Sequence, residues 1–164
     1  MTIKLTQKET LLLEDQKSHE ELCTQKYTNY AHQAQNQELK NLFNSYAQQE
    51  RTHLDTITQI LMGNVPQMNQ GQGQNQKNQQ NNQAQPANQG FQQNSAGFIN
   101  ETDKNLCSDA LTTEKYVSST YDTTIFECTN SQVRKVLNHI QKEEQEHGKG
   151  IFDYMQNHGM YQVK

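Results

Sequence analysis

The sequence predicts an all-α fold, a four-helix bundle made of two repeated antiparallel helical hairpins. Displacing the chain by 94 residues superposes its two ends without a gap, and apolar residues in each end recur at spacings of three and four. The displacement indicates a duplicated unit, and the spacing is that of amphipathic helices. The superposed pairs include Leu12/Leu106, Asp15/Asp109, Tyr27/Tyr121, Asn36/Asn130, Leu39/Val133, Leu42/Val136, Ile57/Ile151 and Leu61/Met155.

The first hairpin is predicted over residues 1–63 from two apolar stripes and their caps. Thr6 and Glu9 form a capping box before the first helix, Asn36 is a favourable N-cap for the second, and Gly63 is expected to end it. The inward stripe predicted for the first helix contains Leu12, Gln16, Glu20, Cys23, Tyr27, Ala31 and Ala34. The stripe predicted for the second contains Leu39, Leu42, Tyr46, Glu50, His53, Ile57 and either Ile60 or Leu61.

The second hairpin is predicted over residues 100–164 and repeats this pattern. Asn130 is the expected cap of its second helix and Gly159 the expected stop. The stripe of the first helix contains Leu106, Ala110, Glu114, Val117, Tyr121, Ile125 and Cys128. The stripe of the second contains Val133, Val136 or Leu137, Ile140, Glu144, His147, Ile151 and Tyr154.

Residues 64–99, between the hairpins, are rich in Gln and Asn, and Lys77 is their only charge. Such a composition buries too little apolar surface to offset the entropy of ordering, so a flexible, disordered crossover is expected. Low charge and a high density of amides also favour self-association.

Composition excludes several classes of function. The net charge of -4 and the pI near 5.8 provide no basic surface for nucleic acid. Apolar runs are too short for a membrane span, and the first residues lack the apolar core of a signal peptide. Three cysteines without a C-x-x-C motif are expected to be buried thiols rather than a disulfide framework.

Each repeat carries a glutamate on its first helix and a Glu-x-x-His motif on its second. The two sets are Glu20, Glu50 and His53, and Glu114, Glu144 and His147. In a hairpin that turns near residue 35, Glu20 and Glu50 lie at one level, and the same register places Glu114 beside Glu144. A glutamate from each of two helices plus Glu-x-x-His from the other two is the ligand pattern of dinuclear metal sites in four-helix bundles.

The four inward glutamates require compensation, because a buried unpaired carboxylate costs several kcal/mol. Two divalent ions per chain would neutralise the four carboxylates, with the imidazoles as neutral ligands. This donor set suits iron or manganese, and zinc competes for the same atoms. No separate cofactor-binding or catalytic residues are predicted. The other histidines, which lack a repeat partner, are expected at the surface or at helix ends.

The pattern resembles the ferritin-like superfamily, and the chain is identified as similar to the coat F family of bacterial spore coat proteins within it. The resemblance rests on residues 142–147, on residues 155–163, and on Tyr121 with Asn130. It implies a ferritin-like four-helix bundle with a long crossover, assembly in the mother-cell cytoplasm, and a final location in the spore coat among other coat proteins.

Two functions therefore stay open. The first is a structural or protective coat protein with a metal-competent core, in which the Gln/Asn-rich crossover mediates packing. The second is a di-iron or di-manganese oxidoreductase that acts on peroxide, oxygen or ferrous iron, as in rubrerythrins or manganese catalases. In the second case the six glutamate and histidine side chains would hold the two metal ions.

Overall fold

Four α-helices account for the regular structure of the described residues, in agreement with the all-helical prediction. The computed structural model describes residues 3–67 and 99–163, so most of the predicted crossover lies outside the described residues. Within these ranges there is no β-sheet, and no helix is both long and apolar enough to cross a bilayer. The helices are α1 Gln7–Gln33, α2 Gln37–Leu61, α3 Glu101–Glu127 and α4 Ser131–Asn157.

Each helix begins at a residue whose side chain accepts hydrogen bonds from the first turn. Thr6 and Glu9 form the predicted capping box, and Asn36 and Asn130 cap α2 and α4 as predicted. After α2 and α4 the backbone reverses at Gly63 and Gly159, with φ of 83° and 70°. Only glycine adopts such angles without steric cost, so both helices end where the sequence predicts.

In both α1 and α2, one apolar residue predicted for the buried face is replaced there by its neighbour in the sequence. Leu13 is fully buried while Leu12 is only partly buried, and Phe43 is fully buried while Leu42 packs at the margin. Adjacent residues lie about 100° apart around a helix, so two neighbouring apolar residues can each serve the same face. Packing against the facing helix selects between them.

All neighbouring helices run antiparallel. Lys8, near the start of α1, contacts Glu127 at the end of α3, and Lys26, further along α1, contacts Asp109 nearer the start of α3. The two helices therefore run in opposite directions. The same reversal relates α2 to α4. α2 ends beside the start of α1, where the Ile3 backbone N–H donates to the Gly63 carbonyl at 2.9 Å, whereas α3 begins at the opposite end.

Two buried carboxylates join the hairpins at the two ends of the helical unit. Glu9 accepts hydrogen bonds from the backbone N–H and hydroxyl of Thr129, at 2.7 and 3.0 Å. Asp103, the repeat partner of Glu9, accepts the N–H groups of Gln35 and Asn36 at 2.7 and 3.0 Å. Each hairpin thus holds the turn of the other, which keeps the two hairpins in register.

Two apolar clusters fill the interior, and a polar layer separates them. One cluster includes Leu13, Ile57 and Leu137, and the other includes Phe43 and Ile151. The layer between them is the level at which the glutamates of the repeated motif lie.

Candidate metal centre

The four predicted glutamates meet in this polar layer, one from each helix. Glu20, Glu50 and Glu144 are 0% exposed and Glu114 is 2% exposed. Helical periodicity brings them there, because each occupies a position on its helix that would otherwise carry an apolar core residue. The apolar residues above and below exclude water from the layer. The site is therefore a set of carboxylates in a medium of low polarity.

The two histidines enter the layer from the next turn of α2 and α4. His53 Nδ1 lies 2.9 Å from Glu144 Oε1 and 3.6 Å from both Glu20 Oε2 and Glu50 Oε2. His147 Nδ1 lies 2.9 Å from Glu50 Oε1 and 3.7 Å from Glu114 Oε1. The shortest contact of each imidazole is with a glutamate of the other hairpin, so the site is complete only when the hairpins pack.

The six side chains divide into two overlapping ligand groups. Within each group, one ligand atom per residue lies within 4.8 Å of the others. The groups share Glu50 and Glu144, while each histidine and each of the other two glutamates belongs to one group. The first group is Glu20, Glu50, His53 and Glu144, and the second is Glu50, Glu114, Glu144 and His147. Each group could hold one metal ion.

When the imidazoles are neutral and carry their proton on Nε2, most of the inward-facing ligand atoms have no hydrogen-bond donor. They are Glu20 Oε2, both oxygens of Glu50, Glu114 Oε2, both oxygens of Glu144, and Nδ1 of His53 and His147. Buried polar atoms without partners are rare in folded proteins, because each costs about 1–3 kcal/mol. Here they converge on two points, and oxygen with imidazole nitrogen is a donor set that divalent transition metals accept. The residues therefore fit a pair of divalent ions.

The outer nitrogen of each histidine is held by a residue of the other hairpin. His53 Nε2 lies 2.9 Å from Glu143 Oε2, and His147 Nε2 lies 3.0 Å from Gln49 Oε1. These contacts place the proton on Nε2 and direct Nδ1 towards the carboxylates. Gln49 and Glu143 are repeat partners, so the two halves share this geometry but differ in charge.

Two tyrosines hold the outer oxygens of the unshared glutamates. The Tyr27 hydroxyl donates to Glu114 Oε1, and the Tyr121 hydroxyl donates to Glu20 Oε1. Both rings are fully buried. Each bond crosses between hairpins, and each leaves the second oxygen of its carboxylate free for another partner.

Burial and mutual contacts shift the pKa values of the carboxyl groups in different directions. Burial raises the pKa of Glu20 to about 7 and holds the pKa of Glu144 well above its ordinary value. Burial also acts to raise the pKa of Glu50, but hydrogen bonds from His147 and His53 outweigh it and lower that pKa to about 2. Without metal, the shared glutamates thus differ in protonation.

The pKa values of both imidazoles are raised, which favours their protonated form. Burial acts to lower the pKa of His147, but contacts with Glu114 and Glu50 outweigh it and raise the pKa to about 9. His53 has its pKa raised well above the ordinary value because Glu143 and the inner glutamates outweigh burial. The imidazolium charges partly compensate the carboxylates, and these protons must leave before Nδ1 can bind a metal.

The structure brings all six predicted ligand residues together, and their metal ligation stays a prediction. The remaining histidines are not among the clustered ligand residues: His32 is exposed, His139 contacts half-buried Glu143, and His158 contacts exposed Glu38. Glu143 is not among the six predicted ligand residues, yet it contacts the outer nitrogen of His53. Its position one residue before the Glu-x-x-His motif, repeated at Gln49, was the available signal.

One family model matches the second hairpin. Residues 102–164 match the family model of the Coat F domain, which supports an assignment to the coat F family. The matched part contains the α3 and α4 members of the cluster, Glu114, Glu144 and His147, but none of the α1 and α2 members. No curated protein and no solved structure matches the chain.

Proposed function

We propose that this protein is a ferritin-like component of the bacterial spore coat whose interior holds two divalent metal ions. The Coat F match supports the location, because the family takes its name from spore coat proteins. The observation that carries the metal proposal is the pair of ligand groups that share Glu50 and Glu144. Other coat proteins, and further copies of the chain, are the proposed partners.

The charges of the layer support two ions rather than one. Two divalent ions bring four positive charges to four buried carboxylates, so the loaded layer is neutral once the imidazoles have lost their protons. Without metal, protons compensate the layer, because the pKa values of Glu20, Glu144 and both imidazoles are raised. Loading therefore replaces these protons with metal ions, which makes metal binding dependent on pH.

The side chains have distinct roles towards the ions. Glu50 and Glu144 would be shared by both ions, and Glu20 and Glu114 would each serve one. The tyrosine hydroxyls would hold the unshared carboxylates in place. Glu143 and Gln49 would fix the tautomer and orientation of the histidines, as outer partners of metal-bound histidines do in general.

The donor chemistry favours iron or manganese. Each group offers three carboxylates and one imidazole, a hard donor set that these metals accept and for which zinc also competes. When bound, a redox-active pair supplies electron transfer and Lewis acidity to a small ligand. The protein's own contribution is to position the ions, exclude bulk water and hold protons on the tyrosine and outer histidine atoms.

One experiment tests the metal proposal directly. The full chain is expressed in medium supplemented with iron or manganese and purified, and the metal is measured by elemental analysis. We expect about two ions per chain in the wild type and a large loss in the Glu50→Gln, Glu144→Gln double variant. Glu146→Gln is the matched control, because Glu146 is exposed on the same helix. Metal absent from the wild type, or retained in the double variant, refutes the proposal.

A di-metal oxidoreductase acting on peroxide, oxygen or ferrous iron is the second candidate. The number of ligands favours it, because four side chains per ion leave positions open on a metal that prefers six ligands. A peroxide-consumption assay on the metal-loaded protein distinguishes the candidates. Turnover that is lost in the double variant supports the oxidoreductase, and its absence in the loaded wild type leaves the structural role.

The coat role has its own test. Replacing residues 66–95 with a Gly/Ser sequence of the same length removes the Gln/Asn composition, which we propose mediates packing in the coat, and keeps a connection long enough to reach from α2 to α3. The variant should retain its helical circular dichroism spectrum but enter spore coats less efficiently. Normal incorporation into coats would contradict the proposed role of the segment.

A further inference from the structure

A cleft between α3 and α4 leads from the protein surface to the carboxylate layer. Its volume is about 570 Å³ and its lining includes Glu114 and Glu144, the two glutamates that the second hairpin contributes to the layer. Exposure falls along the cleft, from exposed Lys115 and Asp122, through half-buried Gly148, to the two buried glutamates. The cleft therefore runs from solvent to the side chains of two candidate ligands, and the carboxylate oxygens at its inner end are themselves buried.

Gly148 contributes to the opening because it has no side chain. A Cβ atom added at this position would lie 3.7 Å from Glu114 Cβ and 3.7 Å from Leu111 Cδ1, which is ordinary van der Waals contact. A longer side chain would extend into the cleft. The repeat partner of Gly148 in α2 is Leu54, which is half-buried. The two hairpins thus differ at the position that faces the glutamates.

We propose that this cleft is the entrance through which hydrated divalent metal ions reach the layer, and that Gly148 keeps it open. This inference rests on the metal site proposed above. Six waters of hydration at about 30 Å³ each occupy about 180 Å³, which is less than the volume of the cleft. The ion exchanges water for carboxylate oxygens at the inner end, and no covalent or redox step is involved.

The polarity of the cleft supports this occupant. Glu114 Oε2 lacks a hydrogen-bond partner at the inner end, and a free carboxylate oxygen there attracts a cation. Part of the remaining wall is polar, with Ser118 and Gln141 on opposite helices. Gln141 Nε2 donates to the Ser118 carbonyl at 2.9 Å, a bond that ties α3 to α4 beside the cleft.

The test is the rate of metal uptake by the full chain after metal removal. Co²⁺ is the probe, because its visible absorption changes when it leaves water for protein ligands, and stopped-flow mixing follows that change. Gly148→Leu should fill the cleft and slow uptake about tenfold or more without lowering the final number of ions bound. Asn138→Leu is the matched control, because it adds a leucine at an exposed position of α4 outside the cleft lining; its rate should equal that of the wild type.

Uptake by Gly148→Leu at the wild-type rate overturns the inference, as does slow uptake accompanied by a lower final capacity, which indicates damage to the ligands. Gly148→Ala decides the question if the leucine variant fails to fold. Its Cβ fits the space, and we expect uptake about two- to fivefold slower; an unchanged rate overturns the inference. A wild type that binds no Co²⁺ refutes the metal site itself, which is a separate outcome.

Discussion

Replacing a shared glutamate should remove both metal ions, whereas replacing an unshared one should remove a single ion. Glu144 belongs to both ligand groups, and Glu20 belongs only to the group of His53. Both side chains are 0% exposed, and Gln has nearly the same shape as Glu. The variants Glu144→Gln and Glu20→Gln therefore make equivalent changes in packing but different changes in the ligand groups.

The expected magnitude follows from the number of groups left intact. A ligand at 100 times its dissociation constant stabilises the folded state by about 2.7 kcal/mol, so two ions, each at that saturation, contribute about 5.4 kcal/mol. For a domain of this size, 1 kcal/mol corresponds to roughly 3 °C in Tm. Metal should then raise the Tm of the wild type by about 16 °C, that of Glu20→Gln by about 8 °C, and that of Glu144→Gln very little.

The assay combines thermal melts followed by circular dichroism, with and without Mn²⁺, and elemental analysis of the same samples. The expected stoichiometries are two ions for the wild type, one for Glu20→Gln and none for Glu144→Gln. Equal loss of metal in the two variants would refute the idea that Glu144 is shared and Glu20 is not.

The metal-free proteins provide a control with a defined pH dependence. Burial raises the pKa of Glu20 from 4.5 to about 7. A carboxyl with a raised folded pKa contributes stability below its unfolded pKa and loses it as pH rises through the folded pKa. Glu20→Gln removes this contribution, so its metal-free Tm should fall less than that of the wild type between pH 4.5 and pH 7. A steeper fall in the variant would contradict the assignment.

Three further predictions concern the surroundings of the layer. Glu143→Gln should weaken the binding of one of the two ions about tenfold or more in a calorimetric titration. Gln49→Glu should tighten the binding of the other ion. Equal effects on the binding of both ions would count against distinct histidine partners. Gly150→Ala should lower the free energy of unfolding in denaturant by about 1–3 kcal/mol, because its Cβ would overlap the Tyr46 hydroxyl, whereas Gly148→Ala has space and should not. The three free cysteines are buried and burial raises their pKa, so a thiol-reactive disulfide reagent should label them only after unfolding; rapid labelling of the native protein would exclude this.

The helices, and the position of the candidate site along the helix axes, were predictable from the sequence because both depend on short-range geometry. Caps and stop signals act within one turn, and they correctly predicted the helix starts after Thr6, Asn36 and Asn130. The register of each antiparallel hairpin follows from the position of its turn, which places Glu20 beside Glu50. The one-residue errors, Leu12 for Leu13 and Leu42 for Phe43, arose where two adjacent apolar residues offered the same face.

The contacts between hairpins were not predictable, because no local period relates residues about 90 to 100 positions apart. The outer partner of each histidine comes from the other hairpin, and so does the tyrosine that holds each unshared glutamate. The repeat identified Tyr27 and Tyr121 as a pair, but it contains no information about which carboxylate each would reach. Packing of the hairpins decides these contacts.

The sequence by itself therefore determined the four helices, their inward faces and the six side chains of the candidate site, since helical periodicity and duplication are properties of the chain. Only the tertiary structure decided that Glu50 and Glu144 are shared by two ligand groups, and that a cleft beside Gly148 reaches them. The physical reason is that sharing and access depend on distances between helices, which side-chain packing sets after the helices have formed.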